Sequence, residues 1–324
     1  MINTLEIRNF KSIKQLKLDC RRINILIGEP NTGKSNILES LGIFSYVYGA
    51  YLGNNFRDFV RFERTSNLFY DENLDEPVWI QVGGINFTLQ FARGYFSGEI
   101  HSAGNQLASL GGDFNNLTMG AVLSAELYPF KFYKFAVQNI FPRLESDFLL
   151  PISGANLMSL ILAHKELRSI ANQMFSPFGL RLGLRPQENK IEVIKQLEEI
   201  IVSYPYSLIS ETLQRTIFHL FAVLSNKDSI LVFEEPESHA FPYYTKYLAE
   251  MVALDARNNQ YFISTHNPYL LRAILEKASR EDVAVFITYF EEYQTRVKQL
   301  DVGEVEEITE MDVFFNLDRF LGGR

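Results

Sequence analysis

Residues 23–41 read Ile23-Asn24-Ile25-Leu26-Ile27-Gly28-Glu29-Pro30-Asn31-Thr32-Gly33-Lys34-Ser35-Asn36-Ile37-Leu38-Glu39-Ser40-Leu41. The opening run, Ile23 to Ile27, is short and almost continuously apolar, the pattern of a strand buried on both faces in a parallel α/β sheet. Gly28 to Ser35 fits G-x-x-x-x-G-K-[ST], the phosphate loop. From Lys34 onward the period changes: Ile37, Leu38, Leu41, Phe44 and Tyr48 recur every three or four residues, as on one face of a helix. A strand, a glycine-bearing turn and a helix in that order aim main-chain N–H groups and a helix N-terminus at a negative ligand. Gly28 lets the chain leave the strand tightly, and Gly33 lets the backbone approach phosphate. The candidate phosphate-binding residues are Gly28, Glu29, Pro30, Asn31, Thr32, Gly33, Lys34, Ser35 and Asn36. Lys34 reaches the β- and γ-phosphates, and the Ser35 hydroxyl is a Mg²⁺ ligand.

Two more apolar runs end in polar clusters. Ser229-Ile230-Leu231-Val232-Phe233 leads into Glu234-Glu235-Pro236-Glu237. Charge at the C-terminal end of a strand sits in the crevice where open α/β sheets bind ligands. Adjacent strand residues point to opposite sides, so the two acids can take different tasks. Glu234 is placed to hold Mg²⁺, and Glu235 to polarise an attacking water. Phe262-Ile263-Ser264 leads into Thr265-His266-Asn267-Pro268, which puts His266 within reach of a γ-phosphate or its water. An acidic pair or a single histidine at a strand end is by itself usually a solvated loop or a structural group. Here the phosphate loop gives them chemistry.

The 324 residues suit two domains, or one large core with an insertion. A net charge of −8 argues against indiscriminate nucleic-acid binding. The single cysteine, Cys20, excludes an internal disulfide and a cysteine-cluster metal site and fits a reducing compartment. No apolar run reaches the ~18 residues of a membrane span. Glu6 and Arg8 interrupt the region where a signal peptide would need its apolar stretch. The expectation is a cytoplasmic protein without a membrane segment.

Alternation over Thr4–Phe10 and again at Leu16, Leu18 and Cys20 predicts two paired strands. Residues 78–82 and 85–91 read as a hairpin turning at Gly83-Gly84, and 97–120, rich in Gly, Ser and Asn, as loop. Residues 121–203 read as mainly helical, with Ile191, Ile194, Leu197, Ile200 and Ile201 marking one amphipathic helix. Residues 229–233, 261–264 and 283–288 are further strands. The chain thus predicts a discontinuous α/β core, 1–95 and 200–324, interrupted by a mainly helical region over 96–199. Tyr128 to Phe135 interleaves aromatics with Lys131 and Lys134. Such a surface can stack bases, but a packed edge with two solvated lysines is the simpler reading.

At the three motif sites the chain resembles the ABC-type ATPase heads of the SMC/RecF-like branch. It is most like the compact AAA-type ATPases similar to the ATPase half of the OLD-family nucleases. Leu5-Glu6-Ile7-Arg8-Asn9-Phe10-Lys11-Ser12 is like the branch's first strand. GEPNTGKSNILES resembles its phosphate loop, FEEPESHAFP its Walker B segment and STHNPYLL its switch-histidine segment. The resemblance implies a two-lobed P-loop NTPase head that binds ATP with Mg²⁺ and dimerises with ATP between one subunit's phosphate loop and the other's signature serine. Carried over, Lys34 and Ser35 bind phosphate and Mg²⁺, Glu234 is the Walker B acid, Glu235 the catalytic base and His266 the switch histidine. The signature serine falls at Ser210, with Ser207 as fallback, and Gln81 is the candidate for the Q-loop. Two departures stand out: Pro30-Asn31 replaces the branch's usual Asn-Gly, and Ser210 is followed by Glu211-Thr212 instead of glycines. OLD-type nuclease chemistry needs a carboxylate-rich C-terminal domain. About 40 residues follow Val283 without a D-x-D, so no nuclease is expected on this chain. The implied roles are an ATPase acting with a nuclease or other partner in DNA transactions or antiphage defence, or a nucleotide-gated interaction module with little turnover. A transporter ATPase subunit ranks below both.

Overall fold

The computed structural model describes residues 1–120, 124–310 and 313–322. The chain begins with β1 (Thr4–Phe10), β2 (Ile13–Asp19), β3 (Ile23–Gly28), α1 (Lys34–Tyr51) and α2 (Phe56–Phe59). Then come β4 (Val78–Val82), β5 (Ile85–Ala92), β6 (Tyr95–Ser102), β7 (Asn105–Gly112), β8 (Leu117–Gly120) and β9 (Phe130–Tyr133). The middle holds α3 (Leu157–Ala163), α4 (Lys165–Phe175), β10 (Leu180–Arg185), β11 (Lys190–Leu197), β12 (Ile200–Pro205) and α5 (Glu211–Ser225). The remainder alternates: β13 (Ile230–Glu234), α6 (Pro242–Ala253), β14 (Gln260–Ser264), α7 (Pro268–Lys277), β15 (Val283–Glu291), β16 (Gln294–Gln299), α8 (Val302–Glu310) and α9 (Leu317–Phe320).

The described strands join into three sheets. The central sheet has the order β16-β15-β3-β14-β13-β9. Its strands run parallel apart from β16, which returns antiparallel along β15. All six residues of β3 are buried, as its continuous apolar run requires. Its period of two divides the interior. Ile23, Ile25 and Ile27 join the core packed by α5, α6 and α7, whereas Leu26 joins the core shared with α1.

The second sheet, β2-β1-β4-β5-β6-β7-β8, is antiparallel throughout. Its inner residues, including Leu5, Ile7, Ile80, Phe87 and Ile100, share one core with α1 and with Val232, Phe262 and Phe286 of the central sheet. Helix α1 is therefore clamped between two sheets, which explains why it is apolar on most of its circumference. Its buried Ser45 accepts a hydrogen bond from Phe132 N at 2.9 Å, tying the helix to β9.

The paired strands at residues 4–20 and the 78–92 hairpin form as expected. The mainly helical reading of 96–199 does not hold. β6, β7 and β8 extend the antiparallel sheet through the stretch read as loop. Its small residues serve packing: a Cβ on Gly98 would meet Leu89 and Leu110 at 3.2 and 3.3 Å. The proposed helix over 191–201 is instead a hairpin of β11 and β12. Ile191 and Val193 point inward at a spacing of two, while Ile200 and Ile201 lie on the far strand, 67% and 68% exposed. The density of β-branched residues was the better guide there. β10, β11 and β12 form a separate three-stranded sheet, and α3 and α4 supply the helix in this region. Among the described residues, no helix is long and apolar enough to cross a membrane.

Gly28 and Gly33 have φ of 148° and 96°. A Cβ at Gly28 would meet Thr288 O at 2.3 Å, and one at Gly33 would meet Thr295 Oγ1 at 2.0 Å. Thr295 cannot step aside cheaply, because its hydroxyl is bonded to Ser12 Oγ at 2.7 Å. Gly33→Ala is expected to cost about 1–3 kcal/mol, read as a lower thermal midpoint. An unchanged midpoint would show that the loop does not need this backbone state.

Candidate nucleotide site

Parallel pairing of β3, β14 and β13 puts three C-terminal strand ends side by side, with Leu26 opposite Ser264 and Ser264 opposite Glu234. The three motif-bearing loops consequently meet over one cavity of about 630 Å³. Pro30, Asn31, Gly33, Lys34, Ser35 and Asn36 line it from the phosphate loop, and Glu234, Glu235 and His266 from the neighbouring strand ends. Gly28, Glu29 and Thr32 are not among the residues lining the cavity, and they shape the loop from within. Lys34 Nζ donates to Gly28 O at 2.9 Å and to Glu29 O at 2.7 Å. Thr32 Oγ1 donates to Glu29 O at 2.8 Å and lies 2.7 Å from Thr288 Oγ1. Asn36 Nδ2 donates to Ser12 Oγ at 2.7 Å, fixing the start of α1 to the β1–β2 turn.

The charges are set against one another. Burial pushes the Lys34 ammonium down to about 8, and Glu235, Glu234 and Glu29 partly restore it. Glu235 adopts a left-handed φ of 43°. Its N–H donates to Ser264 O at 3.0 Å, and its Oε2 accepts from Ser238 Oγ at 3.2 Å. His266 Nε2 lies 3.4 Å from Glu235 Oε1. Burial, then the Lys34 charge, lowers the His266 pKa against the pull of Glu235, which favours a neutral imidazole at neutral pH. The site thus offers a cation held by loop carbonyls, two adjacent acids and a neutral ring, the set needed to hold a polyphosphate and orient a water beside it.

Residues the sequence did not single out also enter. Arg61 lines the cavity, with Nε on Glu39 Oε1 at 2.5 Å and Nη2 3.5 Å from Glu234 Oε1. Glu39, only 2% exposed, also takes the Lys11 ammonium. A glutamate inside the apolar helix α1 was the available signal for this chain of charges. Lys134, Phe135 and Arg215 reach the cavity from the other side. Within the Tyr128–Phe135 segment, Lys134 is exposed, but Lys131 is not the solvated lysine expected. It is buried, with Nζ 3.6 Å from the Phe148 ring centre and 4.7 Å from that of Tyr48, and burial pushes it down to about 7.

Gln81 does not reach the site. It sits on β4 between Glu6 and Asn86 and donates to Gly83 O at 3.2 Å. Neither Ser210 nor Ser207 lines this cavity. Ser210 immediately precedes α5. The acid that follows it, Glu211, is ion-paired with Arg215 at 2.7 Å and faces His239 at 3.3 Å, so much of its charge is compensated locally. Thr212 Oγ1 donates to His239 O at 2.7 Å, tying the first turn of α5 to the segment after β13.

Residues 1–83 match the family model "AAA ATPase domain". Residues 161–272 match the model "AAA domain, putative AbiEii toxin, Type IV TA system". Among curated proteins, the DNA replication and repair protein RecF of Staphylococcus epidermidis is 36% identical over 63 residues, 19% of this chain and 17% of the relative. An uncharacterized protein of Methanocaldococcus jannaschii is 49% identical over 45 residues, 14% of this chain and 20% of its own. The aligned stretches therefore span a fifth or less of these relatives. Two solved structures share the fold. An SMC head bound to the C-terminal winged-helix domain of ScpA has a TM-score of 0.55 at 14% identity, covering 94% of this chain and 99% of that one. The SMC head of Pyrococcus furiosus, with an extended coiled coil and bound to the C-terminal domain of ScpA, has a TM-score of 0.54 at 14% identity, covering 95% and 98%. Two AAA-type ATPase models match separate segments of the chain and the fold is that of the SMC heads, which together support its resemblance to ABC-type ATPase heads of the SMC/RecF-like branch.

Proposed function

We propose that this chain binds ATP with Mg²⁺, hydrolyses it slowly, and uses the bound nucleotide to gate dimerisation or engagement of a partner. The observation that carries this reading is the meeting of Lys34, Ser35, Glu234, Glu235 and His266 on one cavity. The residues fit the ligand. Lys34 is held by two loop carbonyls it can exchange for phosphate oxygens, and Gly28 and Gly33 let the loop pack closely against Thr288 and Thr295, where a Cβ would clash. Ser35 and Glu234 would hold Mg²⁺, which neutralises phosphate charge when bound. Lys34 stabilises charge on the transferred group, with Arg61 beside it. Glu235 orients the attacking water, and His266 accepts or donates a hydrogen bond at the same edge.

In the dimer we infer, Ser210 serves the partner subunit's cavity, consistent with its position outside its own. The Glu211–Arg215–His239 cluster supports this by removing much of the repulsion that Glu211 would direct at a triphosphate. A second reading, a nucleotide-gated module with little turnover, is favoured by the absence of signature glycines after Ser210. We favour a cytoplasmic role in DNA transactions or antiphage defence, with a nuclease subunit or other protein as partner. Support for it comes from the name of the RecF relative, a DNA replication and repair protein, from the family model described as a putative AbiEii toxin of a type IV TA system, and from the ScpA-bound state of the similar heads. The net charge of −8 confines any DNA contact to a local patch.

Single-turnover assays should show hydrolysis by the wild type that Glu235→Gln slows about 100-fold or more, with Mg·ATP binding retained. Equal, near-zero rates for both would leave the interaction-module reading. Light scattering should show the mass doubling when Mg·ATP is added to Glu235→Gln, and a ring-sized species would contradict the sandwich. The Lys34 pKa near 8 also sets a pH dependence. The cation is present below that value and lost above it, so calorimetric affinity for Mg·ATP should hold from pH 6 to 7.5 and weaken by up to about tenfold per unit at higher pH. Lys34→Ala should bind weakly without this slope. A wild-type affinity that stays flat to pH 9.5 would remove Lys34 from the phosphate contact.

A further inference from the structure

Glu237 lies three residues beyond Glu234 and is only 5% exposed. Its Oε1 accepts a hydrogen bond from Thr265 Oγ1 at 2.5 Å, and the main-chain N–H of His266 lies near enough to favour its charged form. Thr265 Oγ1 in turn accepts from Asn267 N at 2.9 Å. Asn267 then caps α7, accepting from Tyr269 N at 2.8 Å and Leu270 N at 3.3 Å. Thr265 N donates to Leu26 O at 3.0 Å, which anchors the turn to β3. One carboxylate thus holds the turn on which His266 is carried. Its own main chain belongs to the loop of Glu235, where Ser238 N donates to Glu235 O at 3.0 Å and Ala240 N donates to Glu237 O at 2.9 Å.

The second oxygen, Oε2, is buried with no hydrogen-bond partner among the described residues, and burial pushes the carboxyl up to about 7. A half-satisfied buried acid costs stability that an apolar side chain of similar size would not. The gain lies in geometry, because this side chain joins the loop of Glu235 to the turn of His266.

We propose that Glu237 is a positioning residue that holds His266 beside Glu235 through the Thr265 hydroxyl. The inference rests on the reading of Glu235 and His266 as partners in hydrolysis. The test uses the full chain and the variants Glu237→Leu, Glu237→Gln and Thr265→Val, with thermal midpoints confirming that each folds. Glu237→Leu and Thr265→Val are each expected to lower kcat about tenfold or more with KM for Mg·ATP held within about twofold. The double variant should be no worse than the weaker single one. Glu237→Gln keeps an acceptor for the hydroxyl and should restore most of the turnover that Glu237→Leu loses. Should Glu237→Leu not fold, Thr265→Val removes the same hydrogen bond without emptying the site.

A readout independent of turnover is the His266 ring in proton NMR of the nucleotide-free chain, assigned by its loss in His266→Asn. Glu237→Leu and Thr265→Val must shift it, and Glu237→Gln must leave it near the wild-type position. If the wild type binds Mg·ATP without turning it over, the hydrolysis reading falls alone and the ring signals decide the positioning role. Unmoved ring signals in both disrupting variants overturn the inference. So does a rise in KM with kcat unchanged, or a Glu237→Gln variant as impaired as Glu237→Leu.

Discussion

Parallel hydrogen bonding of β3 with β14, and of β14 with β13, is the constraint on which everything else depends. It aligns the end of β3 at Gly28 with the ends of β13 and β14 at Glu234 and Ser264, far along the chain, so side chains with no local relationship arrive at one crevice. Both faces of this sheet must be covered for its apolar strands to be stable. One face is covered by α5, α6 and α7. The other is covered by α1, which the antiparallel sheet then covers in its turn. The helix that begins at the phosphate loop is therefore among the most enclosed elements of the chain, and the loop inherits its rigidity. Packing and ligand geometry are the same fact seen from two ends of α1.

Enclosure also explains the electrostatics. Acids and bases drawn out of water are tolerated where each finds a partner. Glu39 inside α1 is matched by Lys11 and Arg61, and Arg61 extends toward Glu234. Lys34 faces the two strand-end glutamates. The cavity thus sets Lys34, Arg61, Lys134 and Arg215 around the two strand-end acids.

The phosphate loop, the acidic pair and the histidine were legible in sequence because each follows a run of apolar residues that can only be a buried strand. The first two strands and the 78–92 hairpin were legible through alternation. Other features depended on partners far away in the chain. Arg61 and Lys11 acquire meaning only through Glu39, and Lys131 is enclosed by rings from α1 and from residue 148. The stretch 97–120 looked like loop because its strands carry glycines and serines that only close packing explains. Over 191–201, apolar residues on two strands of a hairpin fell by coincidence at helical spacing. Gln81 was misplaced for a related reason: its strand belongs to the antiparallel sheet, away from the crevice.

The meander of β10, β11 and β12 hydrogen-bonds as its own sheet, joined to neither of the larger ones. Its outer strand leaves Ile200, Ile201 and Tyr204 largely uncovered, while Ile191 and Val193 anchor it inward. No strand register in the two larger sheets depends on it. Its inner face nevertheless shares one core with Ile23, Ile25 and Ile27 of β3, so among the described residues the sheet is tethered to the crevice strands by packing alone and not by any ladder of main-chain hydrogen bonds.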